Sequence, residues 1–280
     1  MLSILYGIAS ALSWGAGDFA GGLSSRKVGA YRAVFYADFF GLFLLIGAFF
    51  IYPEALPVAR VLWVSAIGGM LGTIGLLVLY YSLTKGQMSI AAPVSALFAA
   101  LLPVIVGAVT EGLPSLLQLI GFMLAFAAVW LISQGSGGGF HISHLSDLRL
   151  PILAGLGFGC YFIFLHNATQ NTTAVLWLMI VSRVAGTLLV LAFVLVRREP
   201  LSVPPAAWSL VFINATLDLA GNFFYILASK AGRLDIAAVL SSLYPGATVV
   251  LAWLLLKEHI SRWQLVGIVL ALGAIVLFAI

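Results

Sequence analysis

The chain has 280 residues, of which 63% are hydrophobic and only 8% are charged, and its mean hydropathy is +1.17. A soluble domain carries roughly 25% charged residues, so a fold this poor in charge would expose a large apolar surface to water. Composition therefore excludes an ordinary water-soluble globular protein. The net charge of +4 comes without a basic stripe, so we expect no nucleic-acid partner. The single cysteine, Cys160, excludes an intrachain disulfide.

Ten apolar segments follow one another along the chain, each close to the 20 residues that a helix needs to cross a bilayer. Their continuous apolar character favours helices over the alternating strands of a membrane barrel. The first segment lacks a basic leader, so we interpret it as a span and not as a cleaved signal. We predict an all-α integral membrane protein with ten transmembrane helices at 3–21, 31–52, 61–83, 87–109, 115–134, 149–168, 174–196, 207–229, 235–256 and 263–280.

The sequence repeats itself. Residues 86–133 align without gaps onto 232–279, with 15 identities in 48 positions. We predict a first five-helix repeat at 1–134, a flexible glycine-rich connection at 135–148, and a second repeat at 149–280. Because five is an odd number, the second copy enters the membrane from the opposite side. Two inverted five-helix repeats are the architecture of many secondary transporters.

Lysine and arginine predict the orientation, because cytoplasmic connections carry an excess of both. The connections after helices 1, 3, 5, 7 and 9 carry nine of these residues, against three for the other set. We therefore predict that both termini lie outside. The expected location is the plasma membrane, of the bacterial inner-membrane type, with multiple passes.

Three stretches carry a resemblance to a known family: WGAGDFAGG at 14–22, SALFAALLPVIVGAVTEGLPSLLQLIG at 95–121, and SSLYPGATVVLAWLLLKEHISRWQLVG at 241–267. The whole chain resembles the drug/metabolite transporter superfamily, specifically its ten-helix exporters with two EamA domains. The resemblance implies a central cavity lined by helices 1–4 and 6–9, with helices 5 and 10 at the periphery. It also implies a secondary carrier exporting amino acids, other metabolites or drugs. Helix 4 departs from the pattern, since it has Pro103 but no match to Tyr244-Pro245.

Four ionisable residues fall within the predicted spans: Asp18, Asp38, Arg183 and Asp218. Charge inside lipid is costly, so each is a candidate functional residue. The three acids are candidates for coupling or cation contact, and Arg183 is a candidate for an anionic substrate group. The alternative is structural: Asp218 could pair with Arg183 across adjacent helices, and Asp18 could bond the loop that follows it.

Three polar residues on predicted helix 8, Asn214, Asp218 and Asn222, recur every four residues and so share one face. A polar stripe on a membrane helix should face a cavity or a partner helix. We predict that Asn214 and Asn222 orient the substrate beside Asp218.

Aromatic residues could stack on a substrate, although they also fill cores and interface belts. The predicted cavity aromatics are Trp14, Tyr80, Tyr81, Tyr161 and Phe223. Prolines within helices remove a backbone hydrogen bond. Pro93, Pro103 and Pro245 are therefore predicted hinges, with static kinks as the alternative.

No catalytic motif or phosphate-binding loop appears, so we expect no enzymatic activity and no cofactor. His141 and His144 alone do not predict a metal site. The sequence favours a secondary active or facilitative transporter that exports small, amino-acid-like metabolites by alternating access. The expected partners are a small-molecule substrate and the lipid bilayer, with protons as a candidate coupling ion, and the protein is expected to function as a monomer.

Two alternatives stay open. One is proton-coupled efflux of cationic or aromatic drugs, which the excess of acids over bases in the spans favours. The other is a non-transporting membrane sensor or assembly subunit. That class predicts a packed interior in which every buried charge is paired.

Overall fold

The computed structural model describes residues 1–84, 88–133, 148–198, 201–257 and 259–280, apart from the side chains of a few residues within these ranges, and in them it contains helices and no strand. A short 3-10 turn, Pro205–Ala207, precedes α8. The helices are α1 Leu2–Val28, α2 Ala30–Ile51, α3 Ala59–Thr84, α4 Met88–Thr110, α5 Leu116–Ile132, α6 Arg149–Gln170, α7 Val175–Arg197, α8 Trp208–Ala231, α9 Leu234–Ser241, α10 Tyr244–Leu256 and α11 Arg262–Ala279.

Seven helical segments are long and apolar enough to cross a membrane, and two shorter apolar helices accompany them. The segment Leu234–Leu256, which contains α9 and α10, counts as one of the seven. The first helix, α1, has 27 residues and continues to Val28, beyond its predicted end at residue 21. With α9 and α10 taken together, the described helices fit ten passes.

The predicted span at 235–256 is interrupted just before Pro245. Ser242 and Leu243 form a turn between α9 and α10, and the Ser242 hydroxyl donates to the carbonyl of Ala238 at 2.8 Å. Pro245 stands in the first turn of α10, where its missing N–H is tolerated. Pro103 lies in the uninterrupted helix α4, and the side chain of Pro93 lies outside the described part of the chain. A hinge role for these prolines stays a prediction.

The main packing contacts run between the two halves of the chain. Helix α1 packs on α8, and α6 packs on α3; likewise α1 packs on α9 and α10, and α6 on α4. Each contact thus has a counterpart in which the two halves exchange places. The halves are interlocked, and their joint interior is available for a site to which both contribute.

Helices α5 and α11 pack against each other and begin in the same way. Each starts with a capping box in which a serine side chain and a glutamine side chain bond to each other's backbone N–H: Ser115 with Gln118, and Ser261 with Gln264. The Gln264 amide also donates to the carbonyl of Ile132 at 3.1 Å, which joins the start of α11 to the end of α5.

Gly267 provides a test of this packing. A methyl group at Gly267 would lie 2.9 Å from the backbone nitrogen of Ile132, whereas one at Gly273 would meet only a Leu124 methyl at 3.6 Å. Overpacking against rigid atoms costs about 1–3 kcal/mol. We expect Gly267→Ala to lower the Tm of the purified protein by several degrees, and Gly273→Ala to leave it unchanged or raised. Equal Tm values for the two variants would contradict this packing.

Candidate functional site: a charged central cavity

A cavity lies at the centre of the helices. Its volume open to the centres of water-sized molecules is about 180 Å³, more than ten times the roughly 10–15 Å³ that one ordered water needs. Helices α5 and α11 contribute no residue to it among those described. The lining comes from α1, α2, α3, α4, α6, α7, α8 and the first residue of α10, and includes Trp14, Asp18, Asp38, Gly72, Thr73, Phe158, Tyr161, Phe162, Arg183, Asn214, Asp218, Asn222 and Tyr244.

Arg183 of α7 occupies the middle of this cavity and holds two carboxylates. Its Nη1 atom donates to Asp38 of α2, and its Nη2 atom donates to Asp218 of α8 at 2.5 Å. Asp38 is 7% exposed, and the Asp218 side chain is 34% exposed. The guanidinium therefore joins three helices from both halves of the chain, and both of its terminal nitrogens are engaged.

The network continues from Asp218 along α8 and across to α6. The Asn222 amide donates to the carbonyl of Asp218 at 2.7 Å and to its carboxylate at 3.2 Å. The Tyr161 hydroxyl donates to the side-chain oxygen of Asn222. Asn214, one turn before Asp218, packs beside Gly17 and Gly21 of α1. All three members of the α8 stripe therefore lie in the cavity lining, and their part in binding stays a prediction.

Asp18 of α1 differs from the other cavity acids. It is exposed within the lining, and no described residue forms a hydrogen bond or ion pair with it. The carboxylate of Asp218 is close enough to repel a negative charge on Asp18. The sequence alternative of a bond between Asp18 and the following loop does not occur among the described residues.

The predicted aromatics divide between the cavity and the periphery. Trp14 and Tyr161 line the cavity. Tyr81 and Phe223 do not: they are 40% and 37% exposed at the outside of the bundle. Phe223 directly follows the cavity residue Asn222, and consecutive residues on a helix point about 100° apart. The side chain of Tyr80 lies outside the described part of the chain.

Three further aromatics line the cavity, Phe158, Phe162 and Tyr244. Phe158 lies three residues before Tyr161 on α6, so these two side chains share a helix face. Phe162 stacks on Trp14, with ring centroids 5.6 Å apart. An aromatic wall therefore stands beside the charged network.

A second cluster of ionisable groups lies at one end of the bundle, which we call the α4–α5 face because the connection between these helices lies there. The carboxylate of Glu111 contacts His166 Nε2 of α6 at 2.9 Å and accepts the backbone N–H of Leu234 at 3.1 Å. The His166 ring also bonds the Ser229 hydroxyl of α8 at 2.7 Å. This cluster holds the ends of α4, α6 and α8 to the start of α9.

Arg233 reinforces the same face. It donates to the carboxylate of Asp235 at 2.7 Å and to the carbonyl of Gly112 at 2.8 Å. These hydrogen bonds to Asp235 raise the pKa of Arg233 above its ordinary value, so the guanidinium is permanently charged. Asp235 is fully buried, as is nearly all of α9. The helix ends on the α4–α5 face are thus closely packed and bonded to one another.

Another glutamate fixes the connection between α2 and α3 on this face. The Glu54 carboxylate accepts the backbone N–H of Leu176 at 2.8 Å at the start of α7. An acid at a helix N-terminus satisfies unpaired donors and the helix dipole. Glu258, His141 and His144 lie outside the described residues. Within the described ranges, no group of three or more histidine, cysteine or acidic side chains could hold a metal ion.

Comparisons with known proteins identify the family and the fold of this chain. The model of the EamA-like transporter family matches twice, at residues 1–134 and at 148–280. An uncharacterized protein of Methanocaldococcus jannaschii is 27% identical over 131 residues, which is 47% of this chain and 94% of that protein. That alignment is about as long as one repeat. A solved crystal structure shares the fold over 99% of this chain and 96% of its own, with a TM-score of 0.79 and 18% identity.

The fold and the cavity define a multi-pass helical membrane protein with a charged interior. The two family matches together cover nearly the entire chain, so the chain belongs to the EamA-like transporter family. It is a membrane transporter of the drug/metabolite transporter type.

The charged network predicts a specific pattern of stability. Removing one partner of a buried ion pair costs about 3–5 kcal/mol, because the other charges remain buried. We expect Arg183→Gln to lower the Tm strongly, and the triple variant Asp38→Asn, Arg183→Gln, Asp218→Asn to regain much of the loss. Arg26→Gln, which removes an exposed charge from α1, is the control. The network would be refuted if Arg183→Gln and Arg26→Gln unfolded at the same temperature.

Proposed function

We propose that this protein is a secondary transporter that exports small, amino-acid-like metabolites across the plasma membrane by alternating access. The observation that carries the proposal is a central cavity that is lined by both halves of the chain and contains a charged network. We interpret the bonds of Glu111, His166 and Arg233 as a seal at the α4–α5 face. Asp18 and Asp218 each lie ten residues from the nearer end of their helix, or about 15 Å at 1.5 Å per residue. With those helix ends at the membrane boundary, both acids would lie near the midplane of a hydrocarbon core about 30 Å thick.

Inverted repeats would supply the two alternating closures. The packing of α5 on α11 supports this architecture. Gly121, near the start of α5, faces Phe278 at the end of α11, and Gly267, near the start of α11, faces Ile132 at the end of α5. These are the same two contacts with the halves exchanged, since 121 pairs with 267 and 132 with 278 at the sequence offset of 146. Equivalent helices that pack antiparallel fit two copies inserted in opposite directions.

The seal at the α4–α5 face supports a cycle in which one end closes while the other opens. Its bonds join α4 and α6 to α8 and α9. Helices α4 and α6 pack against each other, whereas α8 and α9 both pack on α1. In our proposal these bonds break when the opposite end of the bundle closes. The substrate then sees each side of the membrane in turn, and the cavity acids Asp18, Asp38 and Asp218 take part in coupling.

A second candidate function is proton-coupled efflux of cationic or aromatic drugs. The unpaired carboxylate of Asp18 and the neighbouring Trp14 favour it. A non-transporting sensor or assembly subunit is less consistent with the molecule, because that class predicts a packed interior in which each buried charge has a partner.

The test is direct. The purified protein is screened for ligand-induced thermal stabilisation against amino acids, organic amines, organic acids and phosphorylated metabolites, since a ligand that binds only the folded state raises the Tm. Each ligand that binds is then assayed for flux in proteoliposomes, with and without a pH gradient. Saturable flux that Asp218→Asn reduces would support the proposal. Ligand binding without flux under either condition would contradict it.

The seal also makes a prediction about accessibility. In a Cys160→Ala background, the buried position of Ser229→Cys should react slowly with a hydrophilic thiol reagent. Glu111→Gln removes a charged acceptor whose hydrogen bonds are each worth about 1.5–3 kcal/mol, so the reaction should speed up by roughly tenfold or more. Arg60→Gln, which removes an exposed charge from the same face, should leave the rate unchanged. A fast reaction before Glu111 is changed would disprove the seal.

A further inference from the structure

Arg183 already holds two acids. Its Nη1 atom donates to Asp38 and its Nη2 atom donates to Asp218, so the protein's own carboxylates more than balance its positive charge. The guanidinium keeps further N–H donors, but an anionic ligand there would bring a third negative charge to one cation inside the bundle, which is costly. An anionic group is therefore disfavoured at Arg183.

The cavity instead has an excess of negative charge. Its described lining contains three carboxylates and one guanidinium, and the two acids bound to Arg183 already exceed its charge by one. Asp18 adds a third carboxylate, and it has no bonded partner among the described residues. A cation brought by a ligand would relieve the repulsion between Asp18 and Asp218 and would complete the hydrogen bonding of Asp18.

The surroundings of Asp18 suit an organic cation better than a bare ion. Trp14 lies four residues earlier on α1, hence on the same helix face, and it stacks on Phe162 of α6. Both rings line the cavity with Tyr161. An ammonium group near the face of an aromatic ring gains a cation–π attraction, and the rings offer apolar area to the rest of the molecule. Among the described residues, no three histidine, cysteine or acidic side chains are grouped as a metal site would need.

We propose that the transported substrate is an organic amine in its ammonium form, which binds the carboxylate of Asp18 against the wall of Trp14 and Phe162 and needs no carboxylate of its own. This inference rests on the proposed transport function and favours cationic substrates within it, because it prefers simple amines over zwitterionic amino acids. In this proposal the two ion pairs of Arg183 hold the helices around the cavity together, and Asp18 selects the ligand.

Two matched series of ligands test the charge requirement with the apolar part held constant. The first is phenethylamine, phenylalanine and 3-phenylpropionate, and the second is pentylamine, norleucine and hexanoate. In each series the three molecules carry an ammonium group alone, both groups, or a carboxylate alone. Binding is measured by thermal shift and titration calorimetry on the purified wild-type protein.

We expect an amine to bind at least about tenfold more tightly than the zwitterion of its series, a difference of about 1.4 kcal/mol, and the acid to bind least. Asp18→Asn should weaken amine binding by about tenfold or more, and Asp18→Glu, which keeps the charge, should restore most of it. If Asp18→Asn does not fold, the order of ligand affinities in the wild type and the amine affinity of Asp18→Glu still test the proposal.

A zwitterion or acid that binds as tightly as its amine would overturn the amine proposal. So would amine binding that is unchanged in Asp18→Asn. In either case flux of the bound ligand would leave the transport function standing. If none of the six molecules binds, the amine proposal fails, and the broader flux screen judges transport separately.

Discussion

The organisation of this protein depends on one electrostatic constraint, which is that the charge of Arg183 must be neutralised in the middle of the membrane. A lone guanidinium there would be expensive, so two acids from helices α2 and α8 converge on it. Their convergence requires the helices to approach closely. Gly41 faces the guanidinium directly. Gly69 and Gly186 let α3 and α7 approach closely, with Ser182 against Gly69 and Thr73 against Gly186. Charge pairing and small residues together determine where α2, α3, α7 and α8 meet.

The same constraint gives the cavity its chemical character. Because Arg183 is shared by Asp38 and Asp218, the network has one more acidic group than basic groups. Asp18 lies in the same lining and has no bonded partner among the described residues. The two halves thus repeat the same arrangement of helices but contribute different side chains to the cavity. Asp218 of α8, for example, aligns with Gly72 of α3 at the sequence offset of 146. A cavity built from two similar halves can therefore bind its ligand in one preferred orientation.

In the proposed cycle, closure would be maintained by different residues from those that line the cavity. At the α4–α5 face, Glu111 bonds both His166 and the backbone of α9, and Arg233 ties α9 to the end of α4. These bonds join the two halves at one end of the bundle, whereas the ion pairs of Arg183 join them in the cavity lining. Separate clusters would allow the end of the cavity to move while the charged centre stays intact.

The sequence by itself determined the class of the molecule, the helical passes, the repeat and the identity of the ionisable residues inside them. These are local properties, because the hydrophobic length of a segment and its charges do not depend on what packs against it. The polar stripe of Asn214, Asp218 and Asn222 was also readable, since one helix face follows from spacing alone. Only the tertiary structure decided that Asp38 joins Asp218 on Arg183, that Asp18 bonds to no other described residue, and that Phe223 lies outside the cavity lining. These facts depend on how each helix is rotated about its axis against partners more than a hundred residues away, and that rotation is set by packing in three dimensions.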